Sequence, residues 1–259
     1  MSTMAHEISG DGVPVVFLHG LTFDRSSWRP ITQRVGDRVL SVAFDLPAHG
    51  ESAGSPMPLD ELAALLHGEL DALGVERPVV VGHSMSGGLA MTYAATQPVR
   101  GVVTVDAAPY VRPFGRLLRE LEPALRGDAF AETFARVFQP TLGLELLPAA
   151  MMPAQRIRQE VVLGYWEELL QTHPDMLQAR IDGLINTIEA PVLGVFGRAL
   201  EPADRVRLAR VRAEVEEWPG RGHFVHLAER DRFAERLLAF AARCELGGDG
   251  LRERLLDRA

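Results

Sequence analysis

The chain has 259 residues, a mass of 28.4 kDa and a hydrophobic content of 47%, enough for one large domain with a substantial buried core. Its 35 acidic residues outnumber its 27 basic ones, and the net charge of −8 disfavours nucleic acid and anionic membranes as partners. The basic residues other than histidine are all arginine, so lysine Schiff-base chemistry is excluded, and the single cysteine, Cys244, excludes an intrachain disulfide.

The sequence contains no recognisable targeting or membrane-spanning signal. Its first segment, MSTMAHEISG, lacks the basic and apolar regions of a signal peptide. No apolar run approaches the roughly 18 residues that a bilayer-spanning helix needs. We therefore expect a cytoplasmic protein that acts on a small-molecule substrate, and the sequence leaves its oligomeric state open.

Short, continuously apolar segments recur along the chain and alternate with longer segments of helical spacing. Strands that are apolar throughout are typical of a parallel sheet covered on both faces. The alternation predicts an α/β fold, with a doubly wound, mostly parallel sheet and right-handed crossovers. The predicted strands are 13–18, 38–44, 78–81, 101–105, 191–196 and the more polar 214–218, and the main predicted helices are 59–73, 86–96 and 230–244.

One long segment interrupts this alternation because it contains no convincing strand and several prolines. We therefore predict a core made of residues 1–109 and 189–246, with a helical cap inserted at residues 110–188. The charged tail, residues 247–259, is expected to be a frayed helix or disordered. The helical stretches predicted within the cap are 114–126, 128–139, 154–171 and 174–187.

The strongest local signal is VVVGHSMSGG, residues 79–88, where a strand of the buried type meets a sharp turn and then a helix. This is the context of a nucleophile elbow, which makes Ser84 the candidate nucleophile. The strained turn needs small residues on both sides, here Gly82 and Ser86, with serine in place of the more usual second glycine. The helix N-terminus favours negative charge that develops at Ser84. The structural alternative is an ordinary βα turn.

The segment FLHGLT, residues 17–22, follows the first strong strand. A hydrolase needs backbone N–H donors that face the oxyanion of its tetrahedral intermediate. The turn after His19 can present the N–H of Leu21, and the N–H of Met85 would be the second donor. We interpret His19 itself as structural.

Candidate bases are found where WPGRGHFVHL follows the last predicted strand. His223 is the favoured general base, because an imidazole titrates near neutral pH and can pass the proton of serine to a leaving group. His226, three residues later, is the less favoured alternative. The segment FDLPAHGES carries two further titratable residues, Asp45 and His49, which we interpret as structural.

Taken together, these four segments resemble the α/β-hydrolase family. The motifs HG, DxPxHG, GxSxS and GxGHFxHL occur in that order, and the resemblance covers about residues 13–242. It implies an α/β-hydrolase core, a helical insertion in the place of the family's cap or lid, and the chain order serine, acid, histidine. We expect no cofactor and no metal, because the chain has neither a nucleotide-binding glycine motif nor a dense cluster of histidine and acidic residues.

The position of the acid departs from the family pattern. The usual acid follows the strand predicted at 191–196, but this chain has Leu200 there, and Glu201 comes one residue later. Asp106 follows the strand predicted at 101–105, and such sheets build their sites at the carboxyl ends of parallel strands. The resemblance supports this choice, because family members such as the zearalenone lactonases place their acid after this earlier strand. Asp106 is therefore the favoured acid, and Glu201 is the alternative.

The resemblance implies hydrolysis of a carboxylic ester or lactone of a small, largely apolar substrate through an acyl-enzyme, with Ser84, His223 and Asp106 as the catalytic residues. Two alternatives use the same residues, a carbon–carbon bond hydrolase and a cofactor-free perhydrolase. A ligand receptor descended from a hydrolase represents a different class. Haloalkane dehalogenation is disfavoured, because it needs a carboxylate nucleophile where Ser84 stands.

Overall fold

The structure is a computed structural model that describes the backbone of residues 4–256 and the side chains of residues 4–245. The strands in this part of the chain are β1 (His6–Ser9), β2 (Pro14–Leu18), β3 (Leu40–Phe44), β4 (Val79–His83), β5 (Gly101–Val105), β6 (Val192–Phe196) and β7 (Glu214–Glu217). They form one seven-stranded sheet in the order β1-β3-β2-β4-β5-β6-β7. All neighbouring pairs are parallel except β1 with β3. The predicted doubly wound, mostly parallel sheet is therefore confirmed.

Helices cover both faces of the sheet. On β2, Val15 and Phe17 face one apolar cluster, whereas Val16 and Leu18 face the other, as the two-residue period of a strand requires. Every residue of β4, β5 and β6 is buried, which explains why these strands are apolar throughout. The helices are α1 (Arg29–Val35), α2 (Leu59–Ala72), α3 (Met85–Thr96), α4 (Arg112–Arg126), α5 (Phe130–Thr133), α6 (Gln159–Gln171), α7 (Pro174–Ile185), α8 (Pro202–Arg210), α9 (Val225–Ala228) and α10 (Arg230–Leu256).

The edge strand β1 was not predicted from the sequence. It pairs antiparallel with β3 and has an exposed or half-exposed residue at every position. An edge strand with so little burial needs no continuous apolar run, so the segment HEIS lacks the pattern by which the inner strands were found.

The insertion between β5 and β6 is helical and has an apolar cluster of its own. Helices α4 to α7 lie within it, and the described residues between β5 and β6 contain no strand. The predicted helix 128–139 is instead the short α5, a π-helical turn (Phe134–Phe138) and the start of a 3-10 turn (Gln139–Leu142). The cluster comprises Leu118, Leu125, Phe130, Phe134, Phe138, Val162, Trp166 and Leu170.

The first residues of the predicted helix 154–171 are not helical, and α6 begins only at Gln159. In the preceding segment the N–H of Arg156 donates to the carbonyl of Thr22 at 2.7 Å, in the core, rather than to a carbonyl of its own helix. A tertiary contact therefore replaces the local hydrogen bonding that the sequence favoured. We call residues 152–158 the cap strap.

The last helix extends further than predicted. The prediction ended it at residue 244, whereas α10 continues to Leu256, through much of the segment expected to be a tail. Residues 257–259 of that tail lie outside the described residues. Within the described part of the chain, every helix is too short or too polar to traverse a lipid bilayer.

Candidate active site

Ser84 occupies the turn between β4 and α3, with φ of 56° and ψ of −125°. A positive φ is strained for a residue with a side chain and needs support from its surroundings. That support comes from the Ser84 N–H, which donates to the carbonyl of Val105 at 2.9 Å, and from the Ser84 carbonyl, which accepts from the N–H of Gly87 at 2.9 Å. The half-buried Ser84 thus lies at the tip of a strained strand-to-helix turn.

The small residues beside Ser84 are required by close backbone contacts. A Cβ atom at Gly82 would lie 1.9 Å from the carbonyl oxygen of Ser86, so no side chain fits there. Ser86 is fully buried, and its hydroxyl donates to the carbonyl of His19 at 2.5 Å. The serine that replaces the usual glycine therefore ties the turn to the neighbouring loop, a role that the sequence alone did not indicate.

His223 and Asp106 form a hydrogen-bonded pair. The Nδ1–H of His223 donates to Oδ2 of Asp106 at 2.7 Å, and the N–H of Gly197 donates to the other carboxylate oxygen at 3.1 Å. The exposed fractions of the two side chains are only 18% and 9%. Because Asp106 engages Nδ1, the Nε2 nitrogen of His223 is left as the basic one.

Glu201 lies apart from this pair. Its side chain is exposed at the start of α8, and no hydrogen bond or ion pair joins it to His223 among the described side chains. Leu200, at the position of the family's usual acid, is buried in a cluster with Phe196 and Leu208. An apolar side chain thus fills that position.

His83 connects the loop of His223 to the turn of Ser84. Its Nε2–H donates to the backbone carbonyl of His223 at 2.9 Å, and the two rings lie 4.6 Å apart. Burial lowers the pKa of His83 well below its ordinary value, so the ring is neutral. No hydrogen bond joins the Ser84 hydroxyl to His223 among the described side chains. Such contacts are often long without substrate and tighten in the reacting complex.

The loop that follows β2 passes directly beside Ser84. A Cβ atom at Gly20 would lie 2.9 Å from Nδ1 of His83 and 3.3 Å from Cβ of Ser84. In the described part of the chain, the N–H of Leu21 has no acceptor. Met85 is the first residue of α3, so its N–H has no partner within the helix. Neither predicted donor therefore has an acceptor among the described residues.

His19 and His49 are buried supports of this loop. His19 accepts from the N–H of Leu46 at 3.0 Å and donates to the carbonyl of Gly20 at 2.8 Å, and burial lowers its pKa to about 4. His49 accepts from the N–H of Thr22 at 3.2 Å, and burial lowers its pKa to about 3. Both rings are neutral and form hydrogen bonds to backbone groups, so their role is structural.

Asp45 is also a structural residue. It is fully buried, and it accepts from the N–H groups of Arg25 at 2.7 Å and Glu51 at 2.8 Å while it pairs with the Arg25 guanidinium. A Cβ atom at Gly50 would overlap this carboxylate. The DxPxHG segment therefore encodes a tight, charge-stabilised turn.

His226, the alternative base, points into the core. It is fully buried, and its ring lies 4.5 Å from Trp28 and 4.8 Å from His83. Neither ring nitrogen has a hydrogen-bond partner among the residues that the structure describes. Burial lowers its pKa to about 3. Its contacts are those of a core residue.

Comparison with known protein families shows to which family the chain belongs. The model of a family described as "Alpha/beta hydrolase family" matches residues 15–236. The chain belongs to the α/β-hydrolase family. The fold, the turn at Ser84 and the order of its motifs are those of an α/β-hydrolase.

Individual relatives match this α/β-hydrolase over different shares of its length. A Danio rerio protein named "sn-1-specific diacylglycerol lipase ABHD11" is 40% identical over 107 residues, which are 39% of this chain and 33% of that protein. The "Dihydrolipoyllysine-residue acetyltransferase component of acetoin cleaving system" of Pseudomonas putida is 28% identical over 243 residues, 90% of this chain and 65% of that protein. The chain therefore spans only a third and just under two thirds of these relatives.

Solved structures of low sequence identity share this fold. MenH from S. aureus has a TM-score of 0.68 at 17% identity, and the match covers 95% of this chain and 100% of that one. At this level of identity the likeness shows a shared fold.

Proposed function

We propose that this α/β-hydrolase is a serine hydrolase that cleaves a carboxylic ester or lactone of a small, largely apolar molecule. The observation that carries the proposal is the 2.7 Å hydrogen bond between His223 Nδ1 and Asp106 Oδ2, on loops next to the strained turn of Ser84. A serine, an imidazole oriented by a carboxylate and free backbone donors together make an acyl-transfer site. No cofactor is needed for this chemistry.

In the first half of the reaction, His223 Nε2 takes the proton of the Ser84 hydroxyl while the serine oxygen attacks the ester carbonyl. The tetrahedral intermediate collapses when His223 returns that proton to the leaving alcohol. An acyl-enzyme remains on Ser84. For a lactone, the leaving alcohol stays attached to the acyl group.

In the second half, His223 takes a proton from water, whose oxygen attacks the acyl carbon. Collapse of the second intermediate returns the proton to Ser84 and releases the acid. Asp106 keeps His223 in the tautomer with a basic Nε2 and stabilises the imidazolium that forms in each half. The Leu21 and Met85 N–H groups stabilise the oxyanion.

Two observations support an apolar ester. The half-buried side chain of Leu21 packs against the apolar cluster of the cap, so the oxyanion donor lies at an apolar boundary. The name of the Danio rerio relative describes a lipase, and the match covers 39% of this chain.

A fluorophosphonate probe combined with turnover of p-nitrophenyl esters and γ-lactones tests the proposal. We expect wild-type protein to be labelled at Ser84 and to turn over at least one ester or lactone steadily, and Ser84→Ala to do neither. Labelling without turnover would favour a receptor or a hydrolase of another bond. Steady turnover by Ser84→Ala would refute the assignment of the nucleophile.

A further inference from the structure

Thr22, directly after the predicted oxyanion donor Leu21, has an unusual backbone. Its φ is 72°, in the left-handed region that a β-branched residue rarely adopts, and its exposed fraction is only 3%. All its polar groups are bonded. The N–H donates to His49 Nε2 at 3.2 Å, the carbonyl accepts from the Arg156 N–H at 2.7 Å, and the hydroxyl accepts from the Gln155 amide at 3.1 Å.

Two of these three partners come from the cap strap rather than from the core. Gln155 is half-buried, and its amide oxygen accepts from the side-chain amide of Gln139 at 3.0 Å. Gln139 begins the 3-10 turn that leads to Gly143, and a Cβ atom at Gly143 would lie 3.2 Å from the Cα of Gly222. We call the loop after β2 that carries Leu21 and Thr22 the oxyanion loop. Gln155 therefore joins the oxyanion loop to the part of the cap that contacts the loop of His223.

The side chain of Leu21 gives the same loop a second, apolar connection to the cap. It packs against the cluster that contains Phe134, Phe138 and Trp166. The loop is thus held by the cap on its polar side at Thr22 and on its apolar side at Leu21. The core holds the loop through the hydrogen bond of Thr22 to His49 and through that of Ser86 to the carbonyl of His19.

We infer that Gln155 is a positioning residue for the oxyanion hole, acting through the Thr22 hydroxyl. A left-handed threonine persists only while its surroundings fix it. Without the Gln155 donor, Thr22 can relax to a negative φ, which turns the adjoining peptide and moves the Leu21 N–H. A donor that faces the wrong direction raises the barrier to reaction without weakening ground-state binding. This inference rests on the proposed function and adds the cap to the catalytic machinery.

The variant Gln155→Met keeps the length of the side chain and removes both the donor to Thr22 and the acceptor of Gln139. We expect kcat to fall about tenfold, less than the 10²- to 10³-fold loss from removing a donor outright, with KM changed less than about twofold. The affinity for a trifluoromethyl ketone, whose serine adduct carries an oxyanion, should fall by the same factor as kcat/KM. Thr22→Val should reproduce these effects, Thr22→Ser should avoid them, and the double variant Gln155→Met/Thr22→Val should be no worse than either single one.

Gln159→Met is the matched control. The Gln159 amide donates to the carbonyls of Leu125 at 2.9 Å and Gly127 at 3.2 Å, contacts that lie wholly within the cap, and we expect unchanged kinetics. The inference is wrong, while the proposed function stands, if Gln155→Met and Thr22→Val behave like this control. The same holds if they lower kcat but leave the affinity for the trifluoromethyl ketone unchanged. If wild-type protein turns over no ester or lactone, both are wrong.

Discussion

The N–H of Gly197, at the end of β6, donates to the carboxylate of Asp106, at the end of β5, over 3.1 Å. Gly197 also lies so close to the loop of His223 that a Cβ atom there would be 1.9 Å from the carbonyl oxygen of Gly222. One glycine thus contacts both the acid and the loop that carries the histidine. The two partners of the 2.7 Å pair are aligned by backbone, which is stiffer than a side chain.

Replacement of the proposed nucleophile gives the first prediction. Ser84→Ala should reduce ester turnover by on the order of 10⁴-fold or more, because the attacking oxygen is removed. Ser86→Ala is the neighbouring control, since it loses the hydrogen bond to His19 but keeps the nucleophile. Initial rates and thermal melting of both variants check this. More than a tenth of wild-type activity in Ser84→Ala would exclude Ser84.

The second prediction compares the two candidate acids. Asp106→Asn keeps the shape of the side chain and loses its charge, so kcat should fall on the order of 10³- to 10⁴-fold. Glu201→Gln should cost less than about tenfold, because Glu201 is exposed and makes no contact with His223 among the described side chains. Steady-state kinetics of both variants rank the acids. The opposite ranking would assign the role to Glu201.

Gly20→Ala tests the close approach of the oxyanion loop to Ser84. The added methyl group would lie 2.9 Å from His83 Nδ1 and 3.3 Å from Ser84 Cβ, so the loop must shift. We expect kcat to fall about 10²-fold, as for the loss of one oxyanion donor. Gly68→Ala, within α2, places its new Cβ more than 4 Å from any atom other than the local backbone of its own helix. It should instead add about 0.5–1 kcal/mol of stability at full activity. Equal activity of the two variants would contradict the assigned loop position.

A further prediction concerns stability at mildly acidic pH. Burial lowers the pKa of His226 to about 3, so the unfolded chain binds a proton at this residue below about pH 6.5, while the folded chain does not until about pH 3. Stability is therefore lost as the pH falls from about 6.5 towards 3. Between pH 7 and pH 5, His226 alone should account for about 2 kcal/mol of this loss.

Urea unfolding at both pH values measures that loss. His226→Leu should show a pH dependence smaller by about that amount, because the leucine takes up no proton. Replacement of the exposed His173 by leucine controls for the removal of an imidazole as such. An undiminished pH dependence in His226→Leu would show that other groups cause the acid sensitivity.

The inner sheet could be predicted because β2, β4, β5 and β6 are covered on both faces, which forces apolar residues at nearly every position. The same logic placed Asp106 at the end of a strand next to β4. Sequence patterns failed where one tertiary contact decides the structure. The cap strap is not helical, and the N–H of Arg156 in it donates to the carbonyl of Thr22 in the core. The Ser86 hydroxyl fixes the turn because it donates to the carbonyl of His19. Neither partner is near in sequence, so no local pattern reports it.

The packing of Leu200 disfavours an acidic side chain at that position. An aspartate there would replace a side chain packed against Phe196 and Leu208. It would also lie next to Glu217, whose carboxylate accepts from the Leu200 N–H at 2.9 Å. A buried, unpaired charge beside a like charge is costly, so an acid at position 200 would destabilise the fold.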